Sequence, residues 1–184
     1  MTNRGQAIVL IGFMGVGKSA TGRALARKAQ LPHFETDAIV SSQLGLSIPE
    51  IFVTLGEEKF RDAETAALHQ FSPQQPAIIA TGGGIVLRPL NISLLRALGI
   101  VVSLEADDET LFRRISQGAP RPLLQKENPR AALLELLRVR APLYHAAADL
   151  RLDTSHLTDE EVAETILKRI KERDFQFSNI APAR

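Results

Sequence analysis

The sequence predicts an α/β fold in which a parallel sheet is covered by helices on both faces. The first observation is an apolar, β-branched run over residues 7–11, which has the composition of a buried parallel strand. The second is the glycine-rich loop and helical pattern that follow this run directly. The third is the alternation of short apolar runs with longer helical patterns along the chain, which is typical of strands linked by helices.

The loop over residues 12–19, Gly-Phe-Met-Gly-Val-Gly-Lys-Ser, is a complete phosphate-binding P-loop. Its glycines let the backbone approach a phosphate, and the helix that follows directs N–H groups at it. Lys18 adds a positive charge, and the Ser19 hydroxyl is a suitable ligand for a phosphate-bound Mg²⁺. We expect a nucleoside triphosphate to bind here, at Gly15, Val16, Gly17, Lys18, Ser19 and Ala20.

The remaining elements follow from hydrophobic periodicity and turn residues. Further strands are predicted over residues 33–35, 77–80, 100–104 and 150–152, and helices over residues 18–29, 38–44, 48–54, 57–70, 91–98, 107–116, 130–147 and 159–172. Asp107 and Thr158 are predicted N-caps, and Glu161 completes a capping box with Thr158. Ligands of such sheets bind at the carboxyl ends of the strands, so the residues after each strand are the candidates for a site.

Length and charge restrict the class of protein. A chain of 184 residues indicates one domain, over residues 1–173, and residues 174–184 lack periodicity and are predicted to form a flexible tail. A net charge of +1 gives no sign of the basic surface that nucleic-acid binding requires. The absence of cysteine excludes thiolate metal sites and cysteine nucleophiles, and no apolar run is long enough for a membrane helix. We expect a compact kinase or a small GTPase that is a cytoplasmic monomer.

An acidic pair follows the second predicted strand, in Glu35-Thr36-Asp37. In an extended segment these carboxylates, at i and i+2, share one side. One could then contact Mg²⁺ through water while the other contacts a substrate hydroxyl. The alternative is that Asp37 only caps the helix that follows.

The third predicted strand runs into Thr81-Gly82-Gly83-Gly84. Three consecutive glycines are costly in backbone entropy, so they indicate close approach of a ligand to bare backbone. Many P-loop proteins place a metal-orienting Asp at this strand end. Because Thr81 stands there instead, we expect Glu35 or Asp37 to supply the acid.

Two arginines have both a structural and a functional interpretation. Arg61 could pair along its own helix with Glu57 or Glu64, or it could face a ligand. Arg121 stands between two prolines in the polar segment 116–129, which predicts either a lid with an arginine tip or an ordinary surface loop. The four histidines share no spacing and are interpreted as surface or hydrogen-bonded residues: His33, His69, His145 and His156.

Taken in order, these motifs resemble the shikimate kinase family over residues 7–170. The matching segments are 11–19 with Gly22-Arg23, the acidic pair ending in Asp37, 56–61, 81–84, 121–124 and 140–144. The chain departs from the family pattern at Glu35, where an Asp is usual. The resemblance implies a fold like that of nucleoside monophosphate kinases, with a five-stranded parallel sheet, a mobile lid at about 116–129 and acceptor-binding helices at about 37–62.

The resemblance also implies an activity, the transfer of the ATP γ-phosphoryl group to the 3-hydroxyl of shikimate in aromatic amino-acid biosynthesis. Arg61 and Arg140 would bind the shikimate carboxylate, because a guanidinium can bind it bidentately. Asp37 and the Gly83 backbone would bind the hydroxyls.

The catalytic residues implied by the resemblance are Lys18, Asp37 and Arg121. Arg121 would also contact ATP, and Ser19 and Glu35 would hold one Mg²⁺. Asp37 would orient the attacking hydroxyl, while the cations would stabilise the transferring phosphoryl group.

Three other functions compete with this one. A kinase acting on another small molecule, such as gluconate, would keep the P-loop and lid but would not need two arginines facing a ring carboxylate. A GTPase would need a guanine-reading Asn-Lys-x-Asp segment, which the chain lacks, and a non-catalytic nucleotide-binding module would not need the full set of Lys18, Ser19 and Asp37. Adenine contacts are suggested by position alone for residues 153–155 and Arg113.

Overall fold

The computed structural model of the chain describes residues 5–117 and 128–172. These residues form five strands, β1 (Ala7–Ile11), β2 (His33–Glu35), β3 (Ile78–Ala80), β4 (Gly99–Glu105) and β5 (Leu150–Asp153). They also form eight α-helices, α1 (Lys18–Ala29), α2 (Thr36–Leu44), α3 (Ile48–Thr54), α4 (Gly56–Leu68), α5 (Pro89–Leu98), α6 (Asp108–Ser116), α7 (Pro129–Ala147) and α8 (Asp159–Glu172). Arg121, most of the predicted lid and the predicted tail lie outside the described residues.

The five strands form one parallel sheet in the order β2-β3-β1-β4-β5, which confirms the predicted fold class. Strand β1 lies at the centre, pairs with β3 and β4, and is buried along its whole length. Because parallel strands end at the same edge, the residues after β1, β2 and β3 meet there. The P-loop, the acidic pair and the triple-glycine loop (81–84) are therefore neighbours.

The helix boundaries lie close to those predicted from periodicity. Helices α3 and α8 have the predicted bounds, whereas α2 begins two residues earlier and α4 ends two residues earlier than predicted. Asp107 accepts a hydrogen bond from the Thr110 N–H at 2.7 Å, and Thr158 and Glu161 form the predicted capping box. One 3₁₀ turn, Ile85–Leu87, was not predicted.

Two hydrophobic clusters divide the structure. The larger cluster covers both faces of the sheet, while a smaller one joins α2, α3 and α4 through Val40, Ile51, Phe60 and Ala67. The smaller cluster makes these three helices a separate layer beside the carboxyl end of β2 and β3. Within residues 5–117 and 128–172, no helix has both the length and the apolar composition to cross a membrane.

One ring nitrogen of His33 is buried within a residue that is only partly buried. His33 Nε2 has no hydrogen-bond partner among the described residues. It lies over Gly22, where a methyl group would come within 2.5 Å of this nitrogen. Burial lowers the pKa of His33, although the nearby Glu35 carboxylate opposes that shift. By contrast, His145 lies 3.2 Å from Glu105.

Candidate active site

The P-loop has the backbone geometry that phosphate binding requires. Gly12, Gly15 and Gly17 have φ values of 136°, 83° and 95°, in the region that favours glycine. Gly17 is the N-cap of α1, so the first N–H groups of this helix open onto the loop. Lys18 Nζ donates to the carbonyl oxygens of Gly12 and Phe13, each at 2.8 Å, which holds the ammonium group across the loop.

The P-loop forms one wall of a polar pocket, here called the phosphate pocket, which is lined by Met14, Gly15, Gly17, Lys18, Ser19, Ala20, Arg23, Glu35, Asp37, Thr81 and Gly83. It contains five of the six P-loop residues predicted to contact ATP, and the seventh predicted contact, Arg121, lies outside the described residues. The exception among the six is Val16, whose side chain is buried in the core and whose carbonyl accepts a hydrogen bond from Thr154 at 3.0 Å. Only its backbone N–H could therefore contact a phosphate.

Ser19 and Glu35 meet in the phosphate pocket. The Ser19 hydroxyl donates to Glu35 Oε2 at 3.0 Å, and Arg23 donates to Glu35 Oε1 at 3.3 Å. A hydroxyl and a carboxylate are hard oxygen donors that suit Mg²⁺. No group of three or more candidate metal-ligating side chains occurs among the described residues, so phosphate and water would have to complete such a coordination shell.

Asp37 does not share an extended segment with Glu35, so that prediction is wrong. Strand β2 ends at Glu35, and Asp37 belongs to the first turn of α2. The N-cap residue of α2 is Glu35, whose side chain makes no capping hydrogen bond. Instead, α2 is fixed by Thr36, whose hydroxyl accepts a hydrogen bond from the Gly82 N–H at 2.9 Å. This tether holds Asp37 against the triple-glycine loop.

A second pocket adjoins the phosphate pocket. This acceptor pocket is lined by Met14, Asp37, Ile48, Phe52, Phe60, Arg61, Glu64, Gly82, Gly83, Gly84 and Arg140. Its walls come from α2, α3, α4 and α7, and the triple-glycine loop closes it on the sheet side. The predicted acceptor-binding region, 37–62, therefore extends at least to Glu64.

Arg61 satisfies both interpretations of its sequence context. It bridges Glu57, at 2.7 Å, and Glu64, at 2.5 Å, as the helix-pair interpretation predicts. However, the residue is only 6% exposed, and its guanidinium lines the acceptor pocket and lies over the rings of Phe60 and Phe52. The two carboxylates therefore fix the orientation of an arginine inside a pocket.

Glu64 was considered only as a partner of Arg61, but it is itself part of the pocket wall. Its side chain is fully buried, and burial raises the pKa of Glu64 to about 7, although Arg61 opposes that shift and Asp37 adds to it. Burial opposes the charge on Arg61, but Glu64 and Glu57 together raise the pKa of its guanidinium. We conclude that the Glu64–Arg61 pair holds the guanidinium in place at a cost in desolvation.

The triple-glycine loop provides space for the charged side chains of the pocket itself. A methyl group at Gly84 would lie within 2.5 Å of the Arg61 guanidinium. One at Gly82 would lie 2.5 Å from Asp37 Oδ1 and 2.6 Å from Glu64 Oε1. At Gly82 and Gly84, side chains of this chain already approach the backbone, while all three glycines line the acceptor pocket, so close approach of a ligand stays a prediction.

Arg140 and Tyr144 lie one turn apart on α7 and face the same loop. Arg140 is 5% exposed, lines the acceptor pocket and forms no salt bridge within the part of the chain that the structure describes. The Tyr144 hydroxyl donates to the Gly83 carbonyl oxygen. Burial raises the pKa of Tyr144 to about 12, which the neighbouring Arg140 partly offsets. Tyr144 was not singled out from the sequence, although its spacing from Arg140 would have indicated a shared helix face.

The two pockets share Met14, Asp37 and Gly83. A molecule in the acceptor pocket would therefore reach a phosphate in the phosphate pocket beside the Asp37 carboxylate. The arrangement suits transfer of a phosphoryl group to a small anionic acceptor with hydroxyl groups.

Arg113, suggested by position for an adenine contact, lies beside an arginine with several contacts, and its own adenine contact stays a prediction. Arg113 is exposed, whereas Arg114 donates to Thr154 O at 2.9 Å and to Thr154 Oγ1 at 3.1 Å. It also lies 3.5 Å from the Gly15 carbonyl oxygen. Arg114 thus ties α6 to the loop after β5 and to the P-loop.

Comparisons with known proteins agree with this geometry. The family model described as shikimate kinase matches residues 14–171. A shikimate kinase of Thermodesulfovibrio yellowstonii is 44% identical over 161 residues, which cover 88% of this chain and 92% of the relative. One of Thioalkalivibrio sulfidiphilus is 46% identical over 159 residues, which cover 86% and 84%.

Among solved structures, the shikimate kinase of Acinetobacter baumannii in complex with shikimate matches with a TM-score of 0.88. It is 34% identical, and the match covers 93% of this chain and 96% of that one. The chain belongs to the shikimate kinase family.

Proposed function

We propose that this member of the shikimate kinase family transfers the γ-phosphoryl group of ATP to the 3-hydroxyl of shikimate, giving shikimate 3-phosphate and ADP. The observation that carries this proposal is the junction of two pockets at Asp37 and Gly83, one built for phosphate and the other containing two buried arginines. A non-catalytic nucleotide-binding module gives no reason for this junction.

The acceptor's carboxylate would bind between Arg61 and Arg140. Both guanidiniums are almost fully buried, and a buried cation needs an anionic partner. Arg61 already has Glu57 and Glu64, whereas Arg140 forms no salt bridge with any described residue. A carboxylate on the ligand would therefore contribute most of its binding energy at Arg140, and it would complete the hydrogen bonds of Arg61.

Asp37 is the proposed catalytic carboxylate. It would accept a hydrogen bond from the 3-hydroxyl and direct that oxygen at the γ-phosphorus. The hydroxyl oxygen forms the new bond to phosphorus, the bond from phosphorus to the β,γ-bridging oxygen breaks, and the hydroxyl proton passes late to Asp37. Gly83 would hold a hydroxyl from the opposite side with its backbone N–H.

The remaining roles concern charge. Lys18 and the N–H groups of α1 would neutralise the β- and γ-phosphate oxygens. Ser19 and Glu35 would hold one Mg²⁺, which supplies charge neutralisation at the phosphates when bound. Arg121, from outside the described residues, would contact ATP as part of a closing lid.

We also propose the monomer as the active unit, because both pockets are lined by residues of one chain. Gel filtration combined with an activity assay of the eluted fractions tests this. Activity confined to a larger species would contradict it.

A coupled assay of ADP release tests the function. Shikimate, gluconate, a nucleoside monophosphate and no acceptor are compared at equal concentration, and the product is identified by mass spectrometry. We expect rapid turnover with shikimate alone and a product heavier by one phosphoryl group. Preference for another acceptor would refute the proposal.

Two controls sharpen this assay. Lys18→Met should remain folded, since Lys18 belongs to the P-loop side of the pocket and not to the hydrophobic core, yet it should lose most turnover. Shikimate methyl ester lacks the carboxylate charge, so it should be a poor acceptor for the wild-type enzyme. Equal turnover of the ester and the acid would exclude Arg61 and Arg140 as the carboxylate site.

A further inference from the structure

The triple-glycine loop is a flexible sequence at a position that requires precision. Glycine has the largest backbone freedom of any residue, so three in succession would leave the Gly83 N–H free to turn. That N–H is the group assigned to a substrate hydroxyl under the proposed function, on which this inference rests. The loop must therefore be restrained by contacts from outside it.

Within the turn, the Ile85 N–H donates to the Gly82 carbonyl oxygen at 3.3 Å. Two contacts from other elements also restrain the loop, one on each side of the Gly83 N–H. On one side the Gly82 N–H donates to Thr36 Oγ1 at 2.9 Å. On the other side the Gly83 carbonyl oxygen accepts a hydrogen bond from the Tyr144 hydroxyl. The first contact fixes the peptide group between Thr81 and Gly82, and the second fixes the one between Gly83 and Gly84. The peptide group between Gly82 and Gly83, which carries the Gly83 N–H, is therefore left with little freedom.

Tyr144 is suited to this task because it is itself immobile. The residue is 3% exposed, its ring packs in the large hydrophobic cluster, and α7 also carries Arg140 one turn earlier. The hydroxyl thereby links the helix that presents Arg140 to the loop that presents the Gly83 N–H. We propose that Tyr144 is a positioning residue of the acceptor pocket, whose hydroxyl fixes the Gly83 peptide in the orientation that binds the acceptor.

Tyr144→Phe isolates the hydroxyl, since the ring and its packing remain. The Gly83 carbonyl then loses its donor, and the loop must be ordered by the substrate when it binds. We expect the shikimate KM to rise about tenfold, equivalent to about 1.4 kcal/mol, while the ATP KM changes by less than about twofold. A role in stability alone would lower the amount of folded enzyme and hence Vmax, but would leave both KM values unchanged.

Ser103→Ala is the matched control. Ser103 is fully buried in β4, and its hydroxyl has no hydrogen-bond partner among the described residues, so this variant also deletes one buried hydroxyl. Thermal unfolding of both variants measures the structural loss. The control should leave the KM for shikimate unchanged.

Nuclear magnetic resonance can observe the Gly83 peptide directly. The only Gly-Gly pairs in the chain are 82–83 and 83–84. Protein labelled with glycine carrying ¹³C at the carbonyl and ¹⁵N at the amide therefore gives two amide-to-carbonyl correlation peaks. The peak that joins the Gly84 nitrogen to the Gly83 carbonyl should move in Tyr144→Phe and stay in place in Ser103→Ala.

The outcomes are distinct. A displaced Gly83 carbonyl signal together with a selective rise in shikimate KM supports the proposal. An unmoved signal, an unchanged shikimate KM, or equal rises in both KM values overturns it. Absence of wild-type turnover with shikimate would instead refute the proposed function, so the two failures are distinguishable.

Discussion

Replacement of Gly84 by alanine tests whether the acceptor pocket depends on bare backbone. Gly84 has φ −101°, which alanine adopts without strain, so the backbone does not oppose the change. The new methyl group would instead lie within 2.5 Å of Nη1, Cζ and Nη2 of Arg61. Since carbon atoms approach other heavy atoms to about 3.5–4.0 Å, the guanidinium must retreat by roughly 1 Å or more.

The expected loss follows from this displacement. Arg61 is held by hydrogen bonds to Glu57 and Glu64, so it cannot move by 1 Å without weakening one of them. A misplacement of about 1 Å at a positioning group costs on the order of 100-fold in rate. We therefore expect Gly84→Ala to lower kcat/KM for shikimate roughly 100-fold, about 2.7 kcal/mol, with the ATP KM nearly unchanged.

Steady-state kinetics with each substrate varied in turn measures the effect, and Gly45→Ala is the control. Gly45 has φ 66° and no atoms within 4 Å of an added methyl group. Alanine there is strained by the backbone alone and should lower the free energy of unfolding by about 1 kcal/mol. Its kinetic constants should remain those of the wild type.

A double mutant decides whether the effect passes through Arg61. In an Arg61→Ala background the space beside Gly84 is open, so the added methyl group should cost less than about threefold. A Gly84→Ala enzyme with near wild-type shikimate kinetics would refute the reasoning. The same loss in the presence and absence of the Arg61 side chain would show that the loop, and not the guanidinium, is displaced.

Three further predictions concern the charged side chains. Arg61→Lys keeps the charge but loses the planar fork, so the shikimate KM should rise about tenfold or more while the ATP KM does not; equal rises would place Arg61 outside the acceptor site. Asp37→Asn should lower kcat about 100-fold or more at any Mg²⁺ concentration. The activity lost in Glu35→Gln should be partly restored by added Mg²⁺. A Mg²⁺ titration that restores the activity of Asp37→Asn alone would reverse these roles. The pKa of Glu64 is raised from 4.5 to about 7, so the folded protein binds this proton more tightly than the unfolded chain. Stability from Glu64 is therefore present below pH 4.5 and lost as the pH rises through 7, and the Tm of Glu64→Gln relative to wild type should increase over that interval. The free energy of unfolding that wild type loses over this pH interval is roughly 3 kcal/mol. A Tm difference between Glu64→Gln and wild type that does not change with pH would contradict the raised pKa of Glu64.

The secondary structure could be predicted because its signals are local. The helix from Asp159 to Glu172 has its capping box and its apolar face within its own residues, and its predicted bounds match the structure. Even β2, with three residues, was predicted, because a polar turn marks its end. The strand order was not predicted, since it depends on which strands pair across long stretches of chain.

The candidate site was predictable as a set of residues but not as an arrangement. Three glycines in the sequence indicate that something approaches the backbone, but not what. The approaching groups are Arg61, Glu64 and Asp37, which come from helices α4 and α2. Only the packing of those helices against the loop after β3 brings them there. Tyr144 was missed for the same reason, because the Gly83 carbonyl lies 61 positions away in sequence.

The acceptor pocket contains buried charges held by the protein itself, and this organisation opposes stability. Glu64 is buried so deeply that its pKa rises to about 7, and Arg140 is buried with no carboxylate in ion-pair distance among the residues described. Natural proteins retain such unfavourable groups where a function needs fixed charges. Under the proposed function, a substrate carboxylate would meet an Arg61 guanidinium that Glu57 and Glu64 already orient, so little ordering would remain there to oppose binding. It would also supply the anion that Arg140 lacks. Substrate should therefore stabilise the folded protein more than its few contacts suggest, and the gain in Tm on adding shikimate should largely disappear in Arg140→Met.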